Sequence, residues 1–293
     1  MKGQAKMIFT MLIFGSIGVF VKNINLSSSE IALLRGIIGS IFLYGISLIL
    51  KKQLSFSMIK ENIVLLSLSG TAIGFNWIFL FEAYRYTTIA NATVSYYFAP
   101  IFVMALAPFI LKERLTPVKV SCIVLAMLGL FLIVYSGGGD VQGNYRHPIG
   151  ILYGLLAAAL YASVILMNKF IKNLSGYETT FSQLMIASVV LLPYVYIKEA
   201  MTFSALDLKS IVFILILGII HTGFAYFLYF SSLQELKGQT IAVLSYIDPI
   251  SAVVIAAIIL HEAMNTMQIV GGILILGSTF LSETSWKVRK LEV

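Results

Sequence analysis

Apolar residues run through this chain in blocks of about twenty, separated by short clusters of glycine, serine, lysine and acidic side chains. Roughly twenty apolar residues at 1.5 Å per residue cross the hydrocarbon core of a bilayer, so each block reads as a membrane-spanning helix. Ten are predicted, at about 6 to 22, 31 to 50, 62 to 84, 88 to 111, 117 to 136, 149 to 170, 178 to 198, 209 to 232, 238 to 260 and 266 to 284. The first follows Lys2 and Lys6 in the manner of a secretory signal, but no small-residue cleavage site precedes Lys22 and nine more blocks come after it. It reads as a retained span. The expected fold is an all-α polytopic membrane protein with short connections. The exception is the glycine-rich stretch from Gly137 to Pro148, which divides the chain into 1–136, a linker at 137–148, and 149–293.

The two parts carry matching marks. Tyr97, Pro100 and Glu113 return as Tyr246, Pro249 and Glu262, each 149 residues on, and Gly74-Phe75 returns as Gly223-Phe224 at the same offset. Leu26-Ser27 and Glu30 return as Leu174-Ser175 and Glu178, 148 residues on. Five spans per part is an odd number, so the second copy enters the membrane from the opposite side: two inverted five-helix repeats, 5+5. Pro100 and Pro249 are the expected hinges or helix breaks, because a proline frees the carbonyl four residues earlier, here those of Tyr96 and Ser245. In lipid that is tolerated where protein or a water-lined cavity takes over the freed group. Interruptions at matching places in two halves point to a transporter's binding site, the bland alternative being two structural kinks.

Composition agrees with the span pattern and removes other classes. The 293 residues are 59% hydrophobic and 11% charged with a mean hydropathy of +0.95, against about a quarter charged in soluble domains. The net charge of +7 is scattered between apolar blocks and forms no patch, which excludes a nucleic-acid partner. With the N-terminus inside, cytoplasmic segments carry fourteen lysines and arginines against six outside, so both termini are expected in the cytoplasm, with the protein in the plasma (inner) membrane. The single cysteine, Cys122, leaves no intramolecular disulfide and no cysteine metal cluster. His261-Glu262-Ala263-Met264-Asn265 approaches a zinc-protease helix motif but lacks the second histidine, so no metal and no cofactor are expected.

Several pieces together resemble the drug/metabolite transporter superfamily in its EamA-type branch: Arg35, Ala83-Tyr84-Arg85-Tyr86, Pro100, Glu113-Arg114-Leu115-Thr116 and the weaker Glu262 turn. The second half departs from the pattern, with Gln183 where Arg35 would repeat and Ala263 where Arg114 would. The resemblance covers nearly the whole chain. It implies alternating access around a central cavity lined mainly by the third, fourth, eighth and ninth spans.

Within those spans, Asp248 is the sharpest candidate. It lies about ten residues into the ninth, where an aspartate costs roughly 2.5 to 3.5 kcal/mol to insert and is by default functional. His221 shares a helical face with Ala225 and Tyr229, and if that face meets the ninth span, His221 and Asp248 share a proton. Asn76, Trp77 and Glu82 in the third span, Asn91, Tyr96 and Tyr97 in the fourth, and Ser245 and Tyr246 in the ninth complete the expected substrate-binding set. Arg35 and Lys169 read as snorkelling residues near span ends, and Glu113 as a turn residue supporting the helix that Thr116 caps and Pro117 opens.

No nucleotide-binding loop or nucleophile with an adjacent base is present, so the expected activity is secondary active transport, by an exporter or exchanger, and not enzymatic. With Asp248 and His221 as the deepest ionisable groups, Glu82 more peripheral and no cation read at the midplane, the expected solute is a zwitterionic or cationic organic metabolite, an amino acid or amine, held in part by cation–π contacts. Protons are the candidate coupling ion, and the protein is expected in the bilayer as a monomer or homodimer. The alternative is an intramembrane enzyme or sensor that uses the same fold without net transport.

Overall fold

The computed structural model describes residues 3–51, 54–112, 116–136, 145–199, 207–236 and 238–288. The Glu113-Arg114-Leu115 turn and residues 137–144 of the expected linker lie outside the described residues. The described residues form helices and connecting turns, with no strand among them: α1 Gly3–Lys22, α2 Ser28–Ile49, a short α3 Phe56–Glu61, α4 Ile63–Tyr86, α5 Ile89–Tyr96, α6 Ala99–Ile110, α7 Pro117–Ser136, α8 His147–Asn168, α9 Gly176–Glu199 and α10 Leu208–Ile216. A π-helical segment, Leu217–Phe224, joins α10 to α11 Ala225–Glu235. α12 Gly238–Ser245, α13 Ile247–Ile259 and α14 Thr266–Val288 follow. Eight helical stretches are long and apolar enough to cross a bilayer, α5 with α6 and α10 through α11 each counting as one, and Ile247–Ile259 and Thr266–Leu281 are shorter apolar helices.

Helix starts explain part of the recurring sequence. Ser27 and Glu30 form a capping box on α2: Ser27 Oγ accepts from the Glu30 amide at 3.2 Å, and Glu30 Oε2 accepts from the Ser27 amide at 2.9 Å. Ser175 and Glu178 repeat those bonds at the start of α9, at 3.2 and 2.9 Å. The motif recurs because two long helices begin in the same way.

The bundle is apolar inside and out. Phe81, Leu33, Leu43 and Leu184 are fully buried between helices, while Phe109, Ile197 and Ile49 expose 80% or more of their surface on the outside. An outer surface of that kind suits lipid and not water.

Polar contacts gather at its two ends. One end holds Lys22 against Glu262 at 2.5 Å and Tyr145 at 3.0 Å, Thr87 against His147 at 2.7 Å, and Lys209 against Asn23 at 2.8 Å. The other holds Lys6 against Glu235 and Ser231, and Asn62 against the backbone of Lys172. Successive apolar segments therefore run from one end to the other. Between the ends α4 packs on α8 and α9, α2 on α9 and the π segment, α1 on α11 and α13, and α7 on α14.

Candidate functional site

Two apolar segments are interrupted, and at matching places. α5 ends at Tyr96 and α6 begins at Ala99; α12 ends at Ser245 and α13 begins at Ile247. At the joints Phe98 has φ/ψ of −72/−9 and Tyr246 of −72/−11, and the Phe98 amide reaches back only to Ser95 O, at 3.1 Å. Pro100 and Pro249 sit in the first turns of α6 and α13, where a missing N–H costs nothing. Both second pieces also finish alike, on Leu111 and Leu260, each followed by a left-handed residue, Lys112 with φ 56 and His261 with φ 54.

The two joints face each other. Tyr97 Oη donates to Asp248 Oδ2 at 2.7 Å, linking the first break to the first turn of α13, whose exposed amides favour a carboxylate. Asp248 is held from behind by α1, which passes so close that a Cβ on Gly15 would lie 2.0 Å from Ser251 Oγ and 2.8 Å from the Asp248 carbonyl oxygen. Gly15→Val is therefore expected to push α1 and α13 apart and to destabilise the protein by about 1 to 3 kcal/mol, read as a lower unfolding midpoint in detergent.

Tyr84, Tyr96, Tyr161 and Tyr226 all stand within electrostatic reach of Asp248. Tyr161 exposes 40% of its surface, and Tyr96, Tyr97, Tyr226 and Asp248 are half-buried. The cluster is aromatic, with Tyr96 and Tyr161 rings 5.6 Å apart and Tyr226 on Phe14 at 5.5 Å. Tyr97→Phe removes the donor that positions Asp248 and is expected to weaken solute affinity about tenfold or more, measured by equilibrium binding, since hydrogen bonds to charged groups contribute about 1.5 to 3 kcal/mol.

The other expected residues divide. His221 lies on the same side as Tyr229, but that side meets α1: His221 Nε2 is 2.9 Å from Ser16 Oγ, Nδ1 is 3.3 Å from Ile216 O, and the ring packs on Phe20 at 4.8 Å. Tyr229 packs on Phe14 at 6.4 Å. The hydrogen bonds of His221 and Asp248 go to different partners. Tyr246 turns towards Phe280 of α14, 5.5 Å between centroids, and Ser245 Oγ donates to Ile241 O in its own helix at 2.8 Å. Asn76 donates to Ala157 O at 2.6 Å, tying α4 to α8. Asn91 is buried, its Nδ2 3.3 Å from Thr87 Oγ1 and its Oδ1 without a hydrogen bond among the described residues. Glu82 is half-buried near the end of α4.

Arg35 departs from its reading as a snorkelling side chain. α2 begins at Ser28, three residues earlier than expected, which sets Arg35 about 10 Å along the helix at 1.5 Å per residue. It also faces the bundle and not lipid, with 3% of its surface exposed. Its guanidinium lies over Trp77 at 4.5 Å, and Nε donates to Thr222 Oγ1 at 2.7 Å. Thr222 is set for this by the π segment: its hydroxyl donates to Leu217 O, five residues back, at 2.9 Å, leaving a lone pair for Arg35. Gly39 permits the approach, since a Cβ there would stand 2.4 Å from Thr222 Cγ2. The expectation of no cation deep in the bundle is thereby corrected.

Comparison with known proteins places this architecture. The model of the EamA-like transporter family matches residues 1–135 and again 148–284. The chain belongs to that family. A Bacillus subtilis (strain 168) protein named "Uncharacterized transporter YxxF" is 33% identical over 279 residues, covering 94% of this chain and 88% of the relative. A Salmonella typhimurium protein named "Probable amino-acid metabolite efflux pump" is 25% identical over 244 residues, 79% of this chain and 80% of the relative. A crystal structure with 16% sequence identity superposes over 99% of both chains with a TM-score of 0.64, a likeness of fold.

For this EamA-like transporter, a multi-pass membrane protein, sequence reasoning missed four residues: Arg35 as a buried cation, its partner Thr222, and Tyr84 and Tyr161 among the phenols around Asp248. A signal existed for two of them, since Arg35 and Tyr84 belong to the motifs that carry the family resemblance. Thr222 had none, because a π-helical register is not written in an apolar pattern of period 3.6. The arrangement holds one carboxylate, one guanidinium and several phenols among these helices.

Proposed function

We propose that this EamA-like transporter is a secondary active transporter, an exporter or exchanger, that moves a small amino acid or amine across the plasma membrane by alternating access. The carrying observation is the hydrogen bond from Tyr97 to Asp248, which joins two interrupted helices at a carboxylate. Discontinuous helices meeting near the middle of the membrane are where transporters bind solute. The name of the Salmonella typhimurium relative supports the substrate class.

In this reading the chain is two inverted five-helix repeats, 1–136 and 149–293, joined by 137–148. Support comes from the double match to one family model and from packing that maps onto itself when the halves are exchanged: α1 on α11 answers α8 on α4, and α2 on the π segment answers α9 on α4. Both termini are cytoplasmic, so the Lys22–Glu262 end faces outward and the Lys6–Glu235 end inward. Protons are the proposed coupling ion, with Asp248 as the group that exchanges a proton for the solute's cationic end.

The test is counterflow. Proteoliposomes loaded with a pool of unlabelled amino acids and amines are expected to accumulate at least one labelled member, recovered chemically unchanged. Absence of accumulation for every member, or conversion of the label, would overturn the reading.

A further inference from the structure

The bundle interior holds a second charge that transport through Asp248 does not use. Arg35 is a buried cation with 97% of its surface covered, and among the described residues the ion pairs are Lys6 with Glu235 and Lys22 with Glu262, neither involving Arg35. A buried charge without a counter-ion is costly, so something must offset it. Thr222 takes only Nε, and Trp77 takes the face of the guanidinium. The terminal nitrogens make no hydrogen bond with any described residue, and they are not among the fully covered polar atoms left unsatisfied. They keep a trace of accessible surface, and the two parallel donors of a guanidinium fork match a carboxylate.

Two further observations separate this from a structural role. The position that answers Arg35 in the second half is Gln183, which bridges α9 to α4 by donating to Ser69 Oγ at 2.7 Å, as Arg35 bridges α2 to the π segment. A neutral amide thus does the same structural work, and the charge of Arg35 is surplus to it. Moreover, Tyr84 and Tyr226 each stand within electrostatic reach of both Arg35 and Asp248, two opposite charges that form no ion pair with each other among the described residues.

We infer that Arg35, positioned by Thr222 and Trp77, is the binding residue for a carboxylate on the transported solute, and that the solute is a zwitterion whose cationic end goes to Asp248. This rests on the transport reading for the name of the solute's task, but not for its binding. A simple amine fills only the Asp248 side and leaves the Arg35 fork empty. Amino acids are thereby selected over amines and over their own amides.

Equilibrium binding to purified protein tests the inference without requiring flux. Labelled amino acids from the pool are competed with the corresponding amino-acid amides and amines, for wild type, Arg35→Gln and Arg35→Lys. Wild type is expected to bind the carboxylate form at least about tenfold more tightly than the amide, as a charge-assisted bidentate pair requires. Arg35→Gln, which copies the side chain of Gln183, is expected to erase that ratio, and an unfolding midpoint in detergent close to wild type certifies the fold. Arg35→Lys keeps the charge without the fork and is expected to fall between them. Equal binding of acid and amide by wild type, a ratio that survives in Arg35→Gln, or no binding of any carboxylate would overturn the inference. Counterflow on the same preparation separates the two ideas: carboxylate preference without exchange sinks transport alone, and exchange of amines without that preference sinks the role of Arg35 alone.

Discussion

Asp248→Asn is expected to abolish solute exchange and leave the protein folded. Asparagine keeps an acceptor oxygen where Tyr97 Oη now donates at 2.7 Å, so the joint between the two breaks survives, and Pro249 and the first turn of α13 are untouched. What disappears is the negative charge and the ability to take up a proton. An ionic hydrogen bond to a solute contributes about 1.5 to 3 kcal/mol, which is about tenfold to a hundredfold in affinity, and loss of proton exchange acts on top of it. The expected result is a counterflow rate at least about a hundredfold down with an unfolding midpoint in detergent close to wild type. A variant that exchanges at the wild-type rate would make Asp248 a structural acid.

The second large effect is expected at the end of the bundle that carries Lys22 and Glu262. Glu262 is almost fully buried and uses both oxygens: Oε1 pairs with Lys22 at 2.5 Å and Oε2 accepts from the Ile89 amide, the first of α5, at 2.8 Å. One carboxylate thus ties the segment after α13 to the end of α1 and the start of α5, closing this end over the broken helices. Glu262→Gln leaves the half-buried Lys22 without its counter-charge, and removing one partner of a pair costs up to about 3 kcal/mol where one member is partly exposed. The closed end is penalised, so the equilibrium shifts towards opening here. The measurement is maleimide labelling of a cysteine at Asn91, a buried position in α5, in a Cys122→Ser background. Labelling from the Lys22 side is expected to speed up about tenfold or more in Glu262→Gln and to return towards the starting rate in Lys22→Met/Glu262→Gln, where no charge is stranded. An unchanged rate would mean that the pair does not gate this end.

Helix positions were legible because lipid imposes a length and leaves no other way to satisfy the backbone. The α7 span matches its predicted bounds, and the others shift by a few residues at their ends, where capping chemistry and not hydropathy decides. Ser27 and Glu30 moved the start of α2 outward, and that small shift changed the meaning of Arg35 from an interfacial residue to a buried one. The breaks at Tyr97 and Tyr246 follow from Pro100 and Pro249, yet each falls just ahead of its proline, since the proline is accommodated inside the next helix's first turn. Which helix a face meets was not legible. His221 and Tyr229 share a side as their spacing implies, but the neighbour is α1, through Ser16, Phe20 and Phe14, and no local pattern names a partner some two hundred residues away. Tyr246 shares the repeat with Tyr97, but its ring meets Phe280 while Tyr97 meets Asp248; the duplicated sequence has diverged in use.

The most direct measurement is transient counterflow of a labelled amino acid into preloaded proteoliposomes, with Asp248→Asn vesicles as the blank. Wild-type vesicles are predicted to take the label above its external concentration and then release it as the internal pool runs down, with the solute recovered intact. A label that only equilibrates at the rate of the blank, across the whole set of amino acids and amines, would contradict transport at the Tyr97–Asp248 site.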